Sequence, residues 1–461
     1  MRARRAVALL VCLLMPGFLV PPDAASIPAF ARRYRTSCST CHTAAPKLNP
    51  LGEAFRLNGY RFPFNDKLIR KEDQLDLGAE PWKELWPKAI WPGTLAESVP
   101  FAIRIVNDVT AVRNSGGKTR TSFRFPDEIY LLGAADFSDG IAAFLETEWT
   151  REEGLEVKQA RVQFELAGTS DDAAGASLNL GLGQQNLYLF TFTDRQIDRA
   201  GRVKYEWQDF RYSDVVMRRP ATSDSLRSPN SFNLGGTQPA IELNGLVQGR
   251  LYYGVGVAQG AGGLSEDNND VKDVFYKLRY KFGGLGLDGR YAAGDGPLTG
   301  GAGQLLEKSL TLETFGYFGA EPLSDTENDH YRSFGANARA LLGRLDIGVG
   351  VVHGSDDDPW GLGTGGMSFT TLLGRAEYLF YPWLIGSLKI DDLDVEFPEA
   401  VRADGFTGGA DQTRIVPGVI ALIRPNVRAV AEFEWFTRFE PGDLLDLSRP
   451  TGLWLRLDVA F

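Results

Sequence analysis

From about residue 98 to the end of the chain, apolar residues recur on every second position. Leu453, Leu455, Leu457, Val459 and Phe461 alternate with Trp454, Arg456 and Asp458. Val274, Tyr276, Leu278, Tyr280 and Phe282 alternate in the same way with Asp273, Phe275, Lys277, Arg279 and Lys281. A period of two is the mark of an extended strand, because successive side chains point to opposite faces. A single strand of this kind fits a soluble sandwich as well as a membrane barrel. Repetition in units of about ten residues, with the charges gathered on one face, points to a transmembrane β-barrel with an apolar wall and a polar lumen. The terminal Phe461, at the end of an amphipathic strand, resembles an outer-membrane assembly signal.

Turn signals count the strands. They fall near Ser138-Asp139, Gly249, Gly283-Gly284, Gly343, Tyr381-Pro382 and Arg424-Pro425-Asn426. In outer-membrane barrels the periplasmic turns are short, the outer loops are long and the strand number is even. These constraints predict a mainly β fold, a 16-stranded antiparallel transmembrane β-barrel over 98–461, with Leu310 to Ala320 assigned to a long outer loop. Eighteen strands is the alternative.

The first hundred residues read differently. Arg2, Arg4 and Arg5 precede an apolar stretch from Ala6 to Val20, and Ala24-Ala25-Ser26 offers small residues for cleavage, so residues 1–25 are expected to be a secretory signal peptide. After it no apolar run approaches the ~20 residues of a membrane helix, which excludes a helical membrane protein. The chain has a formal charge of −10, and about −12 without residues 1–25, so nucleic acid is not an expected partner. The charge is unevenly spread: residues 26–60 carry Arg32, Arg33, Arg35, Lys47 and Arg56 against Glu53.

Within this basic segment, residues 26–62, lies Cys38-Ser39-Thr40-Cys41-His42. Two thiols three residues apart can each bond one vinyl group of a haem, and a histidine directly after the second can reach the iron. A structural zinc site would need further Cys or His ligands nearby, and beyond this motif the chain after residue 25 offers only His330 and His353. A thioredoxin-like pair would sit in a βαβ context, which the flanks lack. The motif therefore predicts one covalently attached haem c on Cys38 and Cys41, with His42 as axial ligand. No methionine or histidine stands between Thr43 and Val216. The sixth position falls to Lys47, Tyr60, Met217, His330, His353 or Met367, or stays open, and a weak, absent or barrel-derived ligand is the expectation.

Around the motif a short helix is predicted from Ala29 to Thr36. A second is predicted after it, capped by Asn49, with Pro50 in its first position and Asn58-Gly59 at its end. On that second helix Leu51 and Phe55 are candidates for packing against a macrocycle, or equally on the first helix. So few residues bury little, so the segment is expected to need its haem and the barrel to hold its shape.

Ile27-Pro28-Ala29-Phe30-Ala31-Arg32 before the motif, and Leu48-Asn49-Pro50-Leu51-Gly52-Glu53-Ala54-Phe55-Arg56-Leu57-Asn58-Gly59-Tyr60 after it, resemble the cytochrome portion of the outer-membrane fused monohaem cytochrome–porins. These are best known as Fe(II) oxidases of iron-oxidising bacteria. Arg33-Tyr34-Arg35 stands where that family commonly has Gln-Thr-Gly. The resemblance implies electron transport from extracellular Fe(II), or another donor, to a periplasmic cytochrome or other acceptor.

Residues 63–97 form a connector or plug punctuated by Pro81, Pro87 and Pro92, with Trp82, Trp86 and Trp91 as interfacial anchors or packing groups. Strand parity places the acidic groups Glu266, Asp267 and Asp270; Asp325, Glu327 and Asp329; Asp356, Asp357 and Asp358; and Glu440, Asp443 and Asp446 in outer loops. Such a rim can raise the local cation concentration, though for any one cluster plain solvation of a loop is the better reading. The stretch Asn186 to Gly235 carries Arg195, Arg199, Arg202, Arg211, Arg218, Arg219 and Arg227. It is long enough to fold into the lumen as a basic constriction. That constriction supports a different reading, a selective porin whose haem segment is a plug or sensor. Electron delivery outward is a further alternative.

Overall fold

The computed structural model describes residues 29–62, 69–71, 74–76 and 94–96. From 101 to 461 it describes all but 114–117, 139, 152–153, 169–175, 190–233, 235, 261–270, 292–297, 301–303, 323–326, 360–364, 398–410 and 440–450. Sixteen antiparallel strands close into a barrel in sequence order. The first strand, β1, is Phe101–Arg113 and the last, β16, is Thr451–Ala460. They pair from Thr451 opposite Arg113 to Ala460 opposite Arg104. Phe461 completes the seam through reciprocal backbone hydrogen bonds with Ile103 of 2.8 and 2.7 Å. Closure leaves no strand edge unpaired, which an apolar bilayer demands of any sheet that crosses it.

The alternation read from sequence maps onto the wall. In Asp273–Gly283 (β8), Val274, Leu278, Tyr280 and Phe282 are exposed on the outer surface, while Asp273, Lys277, Arg279 and Lys281 are buried toward the lumen. Inward charges are paired across strands: Arg414 with Asp391 and Glu434, Arg456 with Asp108, and Lys389 with Glu432. Exposed Tyr378, Phe380, Tyr381 and Trp383 cluster around the Tyr381–Leu384 turn, where amphipathic rings suit the membrane boundary.

Five of the six predicted turns are tight connections at one rim, the periplasmic one in barrels of this kind. Gly343 turns between Leu342 and Leu345 with φ of 64°, a conformation that costs glycine little. The sixth signal, Gly283-Gly284, opens a long connection instead. Gly283 pairs with Ser309, so residues 284–307 leave and rejoin the same rim.

Leu310 to Ala320 is therefore not an outer loop but the middle of a barrel strand, Lys308–Pro322 (β9). Its inward set includes Phe315 and Tyr317, which join a buried cluster with Phe275, Tyr331 and Met367. Apolar rings on the lumen side blur the polar–apolar alternation that marks the other strands. The total of sixteen stands because residues 284–307 return to the rim they left.

Of the connector, Gln74–Asp76 and Thr94–Ala96 form a short antiparallel ladder. Trp82, Trp86 and Trp91 lie outside the described residues, as do Glu266, Asp267, Asp270, Asp325, Glu440, Asp443 and Asp446. Glu327, Asp329 and Asp356 to Asp358 stand at the rim opposite the tight turns, where Asp358 N–H donates to Asp329 Oδ1 at 2.8 Å. Among the described residues no three His, Cys, Asp or Glu side chains are grouped to hold a metal ion.

Candidate functional site

The Cys38–His42 segment sits inside the periplasmic end of the lumen. Helix α1, Ala29–Tyr34, leads to a single 3₁₀ turn at Cys38–Thr40, with Ser37 as its cap. The turn closes through Cys41 N–H to Cys38 C=O at 3.2 Å, which brings the two thiols onto one side of the chain. Burial raises both thiol pKa values, that of Cys41 to about 12, so neither is a ready thiolate. His42 then enters a two-rung ladder opposite Leu48. Its Nδ1 lies 3.1 Å from the Pro46 carbonyl oxygen. An N–H there fixes the tautomer and leaves Nε2 with its lone pair, as ligation requires. Burial lowers the His42 pKa and favours that neutral form.

Helix α2, Pro50–Leu57, is built onto the motif. Asn49 caps it by accepting from Gly52 N–H at 2.9 Å, and its Nδ2 donates to the Ser39 and Thr40 carbonyls. Gly52 packs so closely on the turn that an added Cβ would fall inside the van der Waals shell of the Cys41 carbonyl oxygen. Gly59, with φ of 66°, ends the segment in the left-handed region as the sequence predicts. Phe55 is buried edge-on to Phe30 at 4.9 Å and Tyr34 at 5.8 Å, and it also lines the cavity described below. Leu51 packs on this aromatic cluster.

Ion pairs to the barrel wall seat the segment. Lys47, 1% exposed, binds Asp346 at 2.9 Å and Glu377. Glu53 pairs with Arg279, and Arg61 with Glu165. Tyr60 stacks between Phe30 and Phe144, with centroids 5.8 and 5.3 Å away. From the opposite end Leu187 to Leu189, which follow the strand Leu178–Asn186, reach into the lumen. The Leu187 carbonyl accepts from Lys277 Nζ at 2.6 Å, and the Arg56 guanidinium lies 4.9 Å from the Tyr188 ring centre. The arginines expected to form a constriction, Arg195 to Arg227, lie outside the described residues.

Between segment and wall is a mainly apolar cavity of about 260 Å³, lined by Cys38, Cys41 and His42 from the segment. Barrel residues complete it, notably Arg104, Phe144, Arg428 and Asp458. The chemistry of this donor set fits a c-type haem: paired thiols, an oriented imidazole, apolar walls and buried guanidinium groups on one boundary. Of the described sixth-ligand candidates, Tyr60 lines this cavity. Lys47 is committed to its ion pairs. His353 is exposed and bonded to Thr370, His330 is exposed, and Met367 is buried at the outer end of the barrel. Met217 lies outside the described residues. Sequence reasoning missed Arg104, Phe144, Tyr188, Arg428 and Asp458 as members of the site. The one signal for Arg104, Phe144, Arg428 and Asp458 was membership of the inward, charge-bearing set of their strands, and Tyr188, which follows the strand Leu178–Asn186, carried none.

No protein-family model matches the sequence. No curated protein matches it. Among solved structures, the chain is similar to an anion-selective porin from Comamonas acidovorans: 12% identity, TM-score 0.51, covering 78% of this chain and 98% of that one. It is also similar to the outer membrane channel DcaP of Acinetobacter baumannii: 10% identity, TM-score 0.50, covering 78% and 96%. At such identities the likeness is one of fold. The chain is an outer-membrane β-barrel with the fold of the porins, carrying a Cys-X-X-Cys-His segment inside its lumen.

Proposed function

We propose that this protein is an outer-membrane electron conduit, of the fused monohaem cytochrome–porin kind, carrying one covalently attached haem c. The observation that carries the reading is the position of Cys38, Cys41 and His42 against an apolar cavity within the lumen. A barrel breaches an insulating layer, and here a redox-cofactor motif occupies the breach. The bound haem supplies a one-electron carrier. The chain's own work is to orient His42 through Pro46, to exclude water with Phe55, Phe144 and Tyr60, and to clamp the segment through Lys47, Glu53 and Arg61. One electron enters from an extracellular donor, which leaves oxidised, and one leaves to a periplasmic acceptor. Fe(II), oxidised to Fe(III), is the donor that the resemblance favours.

The porin-like fold favours a second reading, a selective porin with a haem-bearing plug. Vesicles enclosing a soluble cytochrome separate the two. Under the conduit reading, external Fe(II) reduces the enclosed cytochrome through wild-type protein while small sugars stay out. Sugar flux supports the porin, whether or not Fe(II) that enters with the sugar reduces the enclosed cytochrome.

A further inference from the structure

The Arg428 side chain, 3% exposed, gives Asp458 Oδ2 two hydrogen bonds, from Nε at 3.0 Å and Nη2 at 2.7 Å. Its remaining Nη1 is buried and has no hydrogen-bond partner among the described residues. Asp458 is already engaged by Arg104, whose Nε and Nη2 both reach it. One carboxylate thus serves two guanidinium groups, and a unit of positive charge is left over. All three residues line the cavity that holds Cys38, Cys41 and His42. The other charged groups on that cavity are Arg56 from α2, whose Nε is likewise buried without a partner, and Glu146, which accepts from Gln159 at 2.8 Å. A buried charged donor with no acceptor is costly, so a site that keeps one is built for an anion that arrives later. Guanidinium suits a carboxylate because both are planar and can pair through two bonds.

We propose that Arg428, braced by Asp458, receives a propionate of the haem held by Cys38 and Cys41. This pairing rests on the haem reading of the motif. The pairing does more than anchor. A cation fixed beside the macrocycle stabilises the reduced iron, whose complex carries one less positive charge. It also keeps the propionate ionised in both redox states.

The test is a redox titration of the haem's visible bands in the purified full-length protein, from pH 5 to pH 8. Wild type is expected to show a midpoint potential nearly flat over this range. In Arg428→Gln the haem stays attached, the potential falls, and it declines further as pH rises, because the unpaired propionate takes up a proton on reduction at low pH. Arg428→Lys restores most of the wild-type value. Arg414→Gln, which removes a lumen arginine that is not among those lining the cavity, leaves the profile unchanged. A haem-loaded Arg428→Gln with the wild-type potential and pH profile overturns this assignment and leaves the conduit reading standing. Wild type without covalent haem overturns both. Should Arg428→Gln not assemble, the redox-difference infrared spectrum of wild type at pH 5 decides. Absence of a protonated-carboxyl signal from isotopically labelled propionate supports the pairing, and its presence overturns it.

Discussion

Lys47 offers the most direct perturbation of the clamp between the motif segment and the barrel. Its ammonium, 1% exposed, serves Asp346 and Glu377, residues that Arg375 also contacts. Removing one partner of a buried ion pair costs about 3–5 kcal/mol, because a charge is left desolvated and uncompensated. Here Arg339 and Arg375 still hold Asp346, and Arg375 still holds Glu377, so the cost of Lys47→Met belongs at the low end, about 3 kcal/mol. At about 1.4 kcal/mol per tenfold, that is on the order of a 100-fold larger equilibrium population of the opened segment. Hydrogen exchange reads this at the Asn49 amide, bonded to the Cys41 carbonyl at 2.9 Å, and at the Gly52 amide. Strand amides remote from the segment should keep their wild-type protection. In the double variant Lys47→Met with Glu377→Met the second substitution should cost less than it does alone, because the Lys47–Glu377 pair is already gone and Arg375 keeps Asp346. Unchanged exchange in the single variant, or a double variant that loses the sum of both single effects, refutes the clamp argument.

Three other perturbations test different levels of the account. Replacing Cys38 or Cys41 by Ala should weaken covalent haem attachment and replacing both should abolish it, read by haem staining on a denaturing gel; a stained double variant removes the site assignment. Gly52→Ala should push α2 off the Cys41 carbonyl and cut haem incorporation several-fold while the barrel still assembles; wild-type loading would show that the close approach is tolerated. Phe461→Asp should reduce outer-membrane insertion, because it places a charge at the seam that the Phe461 backbone closes with Ile103; normal abundance and heat-modifiable migration would deny the side chain that role.

The barrel was legible because its constraint is local: every second residue faces lipid, and a single strand such as Asp273–Gly283 shows the rule complete. Leu310 to Ala320, within the strand Lys308–Pro322, reads as a loop because the rule weakens there, at the inward Phe315 and Tyr317, which pack in a buried aromatic cluster instead of meeting water. The caps of α2 were legible for the same local reason, Asn49, Pro50 and Gly59 each having one conformational task. The cavity wall was not. Arg104 and Asp458 are 354 positions apart and meet only because β1 closes on β16, and no sequence pattern announces which inward arginine will lie beside Cys41. The clamp was hidden likewise, since Lys47 pairs with residues about 300 positions away.

A haem on Cys38 and Cys41 that accepts electrons from an external donor must change its visible spectrum when that donor is added. The visible spectrum of the purified full-length protein, recorded before and after anaerobic addition of Fe(II), tests it most directly. A c-type haem spectrum that moves to its reduced bands on the addition is expected. A haem that remains oxidised in the presence of excess Fe(II), or a protein with no haem absorbance, contradicts it.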